Sequence, residues 1–337
     1  MSTLADIAQA LVAPGKGILA ADESHPTIAK RFMSIGITST EERRRDYREL
    51  LFRTEGLEVG VSGVILFDET LRQDAADGTP LRELLMNRGI IPGIKVDMGA
   101  KELAFHPGDK VTEGLDGLRD RFAQYAALGA GFSKWRAVIT IGEGIPTRFC
   151  LQANAHALAR FAALSQEAGL VPVVEPEVIM KGAHRIERCE DVTNAAQEEV
   201  FLALDAHGVA LEEMLLKPNM VVPGTKNEHQ AGAAEVAEAT MRCFLRHVPA
   251  AVPGVVFLSG GLDDVTATQN LNALNRVGGA PWELSFSFGR ALQAPALKAW
   301  AGQEGNVETA QAALRHRVRC NHEARYGRYE DSMDAAA

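Results

Sequence analysis

The run VPVVEPE, Val171 to Glu177, packs three valines into its first four positions and ends on two glutamates spaced two apart. β-Branched residues crowded in this way favour extended backbone, and a run apolar on both faces belongs to a strand covered on both sides. Side chains two apart in a strand share a face, so Glu175 and Glu177 point the same way. Seven other runs have this form: GILAADES from Gly17, GVILFDE from Gly63, IPGIKVD from Ile91, FSKWRAV from Phe132, MLLKPNM from Met214, GVVFLSGG from Gly254 and WELSFSFG from Trp282. Successive starts lie 28 to 46 residues apart, room each time for one helix and two loops.

The stretches between them carry helical periodicity, as in LDGLRDRFAQYAALG from Leu115, ANAHALARFAALSQEAG from Ala153 and VTNAAQEEVFLALDAHG from Val192. Each ends on glycine, the residue that most easily leaves a helix through a left-handed turn. Buried strands alternating with helices make a parallel sheet, and eight repeats without a linker predict a single (β/α)8 TIM barrel of the α/β class. This one domain spans residues 1–337, with strands from about 17 to 289 and a C-terminal helical region and flexible tail from about 303. The alternative, an open doubly wound sheet, would bring GxGxxG after its first strand, and GILAADES has none.

Of the 337 residues, 35 are Lys or Arg and 44 are Asp or Glu, a net charge of −9 that argues against nucleic-acid binding. Hydrophobic residues at 46% and charged residues at 23% exclude disorder for most of the chain. The opening MSTLADIAQALVAPGKG lacks the order of a secretory signal, and no apolar run is long enough to span a membrane. Cys150, Cys189, Cys243 and Cys320 stand far apart, which suits a reducing compartment and predicts a soluble, cytoplasmic protein.

In such a barrel, catalytic groups come from the C-terminal ends of the strands. Here those ends are charged. Lys95 and Asp97, Lys134 and Arg136, Glu175 and Glu177, and Lys217 and Asn219 each share a face, predicted to point inward. Unpaired buried ions cost several kcal/mol each, so these must pair with one another or with a charged ligand. A solvated strand end is the competing reading for Lys134 and Arg136. Lys217 sits in an apolar run, where burial among cations lowers the pKa of an amine and makes it a nucleophile toward ketones. The resulting protonated imine accepts the electron pair of a breaking carbon–carbon bond, work that otherwise needs a metal or cofactor. Glu175 and Asp22 are the carboxylates placed to move protons.

FLSGG, Phe257 to Gly261, and SFGRA, Ser287 to Ala291, end the seventh and eighth runs, the common phosphate position of barrels, with Arg290 as the cation. Either segment alone is also compatible with a simple turn. The histidines show no HxxxH or HxH spacing, so no catalytic metal is predicted. RRRDYR from Arg43 follows two glutamates on a predicted helix and reads as a solvated face without function.

Taken in order, GILAADES, AKRF, GIKVD, KWR, VPVVEPE, LLKPNMV, FLSGG and SFGRALQ resemble the class I, Schiff-base fructose-bisphosphate aldolases, over residues from about Gly15 to Trp300. The resemblance implies a cofactor-free, metal-independent lyase that cleaves fructose 1,6-bisphosphate reversibly into dihydroxyacetone phosphate and glyceraldehyde 3-phosphate in glycolysis and gluconeogenesis. It implies a homotetramer without nucleic-acid or membrane partners. It gives Lys217 as the imine-forming lysine, Glu175 as the acid/base for imine formation with Glu177 in support, Asp22 as the base for carbon–carbon cleavage, and Lys134 as the orienting cation. Ser259, Gly260, Gly261, Ser287, Gly289 and Arg290 match the phosphate cradle on the ketone side; Lys95, Arg136 and Ser24 match the opposite one. Arg31 matches a mobile residue that reaches the substrate. Three departures stand out: Met98 where lysine is frequent, His25 to Thr27 where Thr27 replaces a serine hydroxyl, and a chain end without a terminal tyrosine. Two other readings stay open on the residues alone, a non-catalytic sugar-phosphate-binding barrel and a metal-dependent aldolase or isomerase.

Overall fold

The computed structural model describes residues 2–335. Eight parallel strands close on themselves in chain order: β1 Gly17–Ala21, β2 Val61–Leu66, β3 Ile91–Lys95, β4 Phe132–Ile139, β5 Val171–Val178, β6 Leu215–Leu216, β7 Gly254–Phe257 and β8 Glu283–Phe288. β1 closes the ring by pairing with β8 on one side and β2 on the other. The predicted barrel is therefore the observed one. β6 keeps only two ladder residues, because Pro218 has no amide to donate and the side chain of Asn219 takes the Val178 N–H at 2.9 Å.

Each strand is followed by helix, among them Leu118–Ala127 after β3, Arg148–Glu167 after β4 and Ile186–Ala206 after β5. A small antiparallel hairpin, Ala100–Glu102 with Lys110–Thr112, precedes the first of these. Outward strand residues such as Leu19, Val64, Ile94, Trp135 and Val174 are buried against the helices in the main core. Inward residues Ile18, Ala20, Ile65, Phe132, Val171, Val173, Leu215 and Val256 form a second core within the ring. Fully burying a side chain of valine or leucine size stabilises by about 1.5–3 kcal/mol.

Phe132 fills the ring because β3 yields space: a Cβ on Gly93 would lie 2.3 Å from its ring. Below it, helix Leu4–Leu11 plugs the floor with Ala8, Leu11 and the adjacent Val12, its start fixed by a reciprocal Thr3–Asp6 capping box. The buried Arg325, at the end of helix Val307–Arg325, ties this floor by donating to the carbonyls of Val12 at 2.9 Å, Lys16 at 3.0 Å and Leu284 at 2.5 Å. With the floor sealed and the lower ring apolar, the next inward positions at the C-terminal ends of the strands are left to form the opposite mouth.

Candidate active site

The period-two rule carries the inward face of β1 from Ile18 and Ala20 to Asp22, and that of β4 from Phe132 to Lys134 and Arg136. On β5 it carries Val171 and Val173 to Glu175 and Glu177, and on β6 it carries Leu215 to Lys217. These side chains, with Lys95 from β3 and Ser287 from β8, line a cavity of about 1190 Å³ at the mouth. Apolar layers below and charge above follow from one alternation carried to the C-terminal ends of β1, β3, β4, β5 and β6.

Lys217 is buried and its Nζ stands 3.4 Å from Glu175 Oε1. Glu175 Oε2 lies 3.4 Å from Lys134 Nζ and makes no hydrogen bond. Lys134 Nζ in turn meets Asp22 Oδ2 at 2.5 Å. One carboxylate thus sits between two amines, and a second carboxylate backs one of them. Burial pushes the Lys217 amine down, Glu175 opposes, and Lys134 adds to the lowering, so its pKa falls below the ordinary lysine value. Burial would raise Asp22, but Lys134 and Lys217 outweigh it and hold the carboxyl well below its usual range. Burial works against the Lys134 ammonium too, and Asp22, Glu175 and Asp97 outweigh it, so Lys134 stays charged. The cluster holds a fixed cation, a fixed anion and an amine biased toward neutrality.

Around this centre, Lys95 Nζ pairs with Asp97 Oδ1 at 2.7 Å, and Arg136 Nε donates to Glu177 Oε2. Ser24 Oγ and Thr27 Oγ1 are 3.2 Å apart at the start of helix His25–Met33. Arg290 Nη2 donates to the Gly260 carbonyl at 2.7 Å, joining the loops that end β7 and β8. Gly260 has φ +53, a conformation that suits glycine. Ser287 Oγ is buried with no hydrogen-bond partner.

Of the residues expected at the site, Asp22, Ser24, Thr27, Arg31, Lys95, Lys134, Arg136, Glu175, Glu177, Lys217, Ser259, Gly260, Ser287, Gly289 and Arg290 all line the cavity. Gly261 stands apart from it. Its amide donates to Met180 Sδ at 3.0 Å, so that N–H is already committed. Asn219 does not follow Lys217 inward either, because its amide group is taken by Val178, Thr193 and the Met220 carbonyl. The basic helix Glu41–Phe52 is not solvated throughout: Arg48 is buried and pairs with Glu23, which also holds Arg31. Gln293 completes this group with a 3.0 Å bond to Glu23 Oε1. The signal for it lay in GILAADES, where Glu23 has the parity of the outward residues Leu19 and Ala21 and needs a buried cation behind the strand.

A family model described as fructose-bisphosphate aldolase class-I matches residues 3–337. The chain belongs to this family. It is 56% identical to a probable fructose-bisphosphate aldolase class 1 of Xanthomonas axonopodis pv. citri, across 97% of this chain and 98% of that one. It is 52% identical to the cytosolic fructose-bisphosphate aldolase 6 of Arabidopsis thaliana, covering 94% of this chain and 88% of the relative. Among solved structures, a fructose-bisphosphate aldolase from Plasmodium falciparum superposes with a TM-score of 0.96 at 48% identity, covering 97% of this chain and 95% of that one. Membership of the class I aldolases makes the protein an enzyme, and a non-catalytic barrel finds no support. No helix among the described residues is long and apolar enough to cross a membrane.

Proposed function

We propose that the protein cleaves fructose 1,6-bisphosphate reversibly into dihydroxyacetone phosphate and glyceraldehyde 3-phosphate through an imine on Lys217. The observation that carries this reading is the buried Lys217 amine, lowered in basicity and 3.4 Å from a carboxylate oxygen of Glu175. The neutral amine adds to the ketone carbon of the sugar. Glu175 then supplies the proton with which the hydroxyl leaves as water, giving the protonated imine. The ionised Asp22 takes the proton from the hydroxyl on carbon 4, the bond between carbons 3 and 4 breaks, and its electron pair passes into the imine as an enamine. Glyceraldehyde 3-phosphate departs; protonation at carbon 3 and addition of water release dihydroxyacetone phosphate and restore the amine. Lys134 holds Asp22 and Glu175 in place and stabilises developing negative charge.

Two groups of polar and basic side chains in the lining of the cavity suit the two phosphates. Ser259, Gly260, Ser287, Gly289 and Arg290 form the cradle for the phosphate on the ketone half, and the unpartnered Ser287 hydroxyl supports this assignment. Lys95, Arg136 and Ser24 take the other phosphate, with the Thr27 hydroxyl beside Ser24. Arg31 reaches the substrate on leaving Glu23, and Glu177 holds Arg136 in position. A cytoplasmic homotetramer completes the reading, the location being supported by the word cytosolic in the name of the Arabidopsis relative.

The test is borohydride reduction in the presence of dihydroxyacetone phosphate, followed by intact-mass measurement and peptide mapping. One reduced adduct on Lys217 is expected, absent from Lys217→Ala. Triose phosphate release from fructose 1,6-bisphosphate should be unchanged by EDTA. A protein without the adduct whose activity is lost to EDTA would belong to the metal-dependent chemistry instead.

A further inference from the structure

Away from the mouth, His316, Cys320 and Asp334 bring an imidazole nitrogen, a thiol sulfur and a carboxylate oxygen within 4.8 Å of one another, the one such group of three found among the described residues. His316 and Cys320 are four apart on helix Val307–Arg325 and share its face. Asp334 comes from the last turn, Ser332–Ala335, and approaches the helix from the other side. His316 Nε2 lies 2.8 Å from Asp334 Oδ1, while Cys320 Sγ lies 3.4 Å from His316 Nε2 and 3.7 Å from Asp334 Oδ1.

These spacings have a chemical meaning. With zinc bonds of about 2.0–2.3 Å to nitrogen, oxygen and sulfur, tetrahedral ligand atoms sit about 3.4–3.6 Å apart. Both distances to the sulfur are close to that already, and only the nitrogen–oxygen pair must open, by about 0.6 Å, as a cation replaces the proton between them. We propose that His316, Cys320 and Asp334 bind a borderline-soft divalent cation, zinc in the first instance, which fastens the end of the chain to the outer wall of the barrel. Thiolate, imidazole and carboxylate together suit zinc better than the all-oxygen cations.

On binding, the S–H bond of Cys320 breaks and its proton goes to water, the proton shared by His316 Nε2 and Asp334 moves through solvent to His316 Nδ1, and metal–sulfur, metal–nitrogen and metal–oxygen bonds form with no change in oxidation state. Thiolate and carboxylate then balance the double charge. Cys320 is buried, while His316 and Asp334 keep side-chain exposures of 23% and 21%, which leaves an entry path and a fourth position for solvent. Tyr329 donates its hydroxyl to Asp334 Oδ2 and so aims the carboxylate, as outer partners do at metal sites. Arg317 competes for Asp334 Oδ1, but it keeps other partners when displaced: its Nη2 donates to the Asp264 carbonyl at 2.9 Å and to Thr268 Oγ1 at 2.5 Å. The rival reading is a hydrogen-bonded cluster that holds the tail without metal. In that cluster the thiol is a weak, dispensable donor; in the metal site it is a ligand. None of the three residues lines the catalytic cavity, so the inference stands independently of the reaction proposed above.

Cobalt distinguishes the two. Metal-free, full-length protein titrated with CoCl2 should develop the near-ultraviolet thiolate-to-cobalt charge-transfer absorption, saturate at one ion per chain, and lose the band on adding ZnCl2. Cys320→Ser should abolish the band and Cys150→Ser should leave it. His316→Gln and Asp334→Asn, at partly exposed positions, should each weaken binding at least tenfold and keep the test sound if the buried cysteine variant does not fold. Absence of the band in the unmodified protein, its survival in folded Cys320→Ser, or unchanged affinity in both partly exposed variants would overturn the proposal.

Discussion

Replacing Lys134 by methionine removes the charge but keeps much of the volume of a fully enclosed side chain, and its effect on Lys217 can be worked from the geometry. Lys134 and Lys217 each stand 3.4 Å from a different oxygen of Glu175, which puts the two nitrogens no more than about 9 Å apart. At an effective dielectric of ~20, like charges at that distance repel by about 1.8 kcal/mol, a little over one pH unit. Losing Lys134 also removes the closest competing cation from Glu175 and Asp22, and both favour the ammonium form of Lys217. All three changes act in one direction. The lysine limb in the pH dependence of borohydride-trapped adduct formation should therefore move alkaline by about one unit or more, whatever happens to the maximal rate. The position of the limb is the readout, because the amplitude also reflects the role proposed for Lys134 in catalysis. A limb that stays in place or moves acid would refute the account of how the amine is made nucleophilic.

Arg290→Ala removes the charge-assisted contact proposed for the phosphate on the ketone half, worth about 1.5–3 kcal/mol, and should raise KM by ten- to a hundredfold while kcat changes little; steady-state kinetics decide. Gly260→Ala forces a Cβ into left-handed backbone at φ +53 and 3.3 Å from Leu258 Cδ1, a strain of about 1–2 kcal/mol. A KM increase of roughly five- to thirtyfold is expected as that strain is relieved by shifting the loop proposed to hold phosphate. Arg48→Met takes one of two guanidinium partners from the buried Glu23 and should destabilise by about 3 kcal/mol at neutral pH, read by chemical denaturation. Burial raises the Glu23 pKa, but Arg48 and Arg31 outweigh it and depress the folded value. The stability it contributes is thus present above the ordinary glutamate range and lost as pH falls through the folded value. The penalty of Arg48→Met should shrink in acid, and a penalty independent of pH would contradict the ion-pair assignment.

The barrel was legible because buried parallel strands leave a signature that depends on few exceptions: short β-branched runs, polar ends and regular spacing. The same period that places Val171 and Val173 inside the ring places Glu175 and Glu177 above them, so the charged lining of the mouth could be read from strand parity together with family resemblance. What parity cannot supply is the fate of residues beyond the last ladder bond. Asn219 has the parity of Lys217 yet turns to the backbone of β5, since Pro218 ends the ladder between them. Gly261 belongs to a phosphate-type loop, but a thioether distant in sequence captures its amide. Arg48 looked like one charge in a basic run, and only its ion pair with Glu23, just beyond β1, reveals it as a buried counter-ion. In the same way His316 and Cys320 carry no recognisable spacing until the final turn delivers Asp334.

The floor of the barrel joins the two extremes of the chain. Helix Leu4–Leu11 stops the ring from below, and Arg325 fastens that plug from a position near the other end. On the ribosome, the first residues emerge long before their clasp exists. The ring cannot be completed until β8 has been made, and the plug cannot be locked until the last long helix has left the exit tunnel. The growing polypeptide must therefore wait with an unfinished hydrophobic ring, and the barrel becomes a closed vessel only after Arg325 has been added.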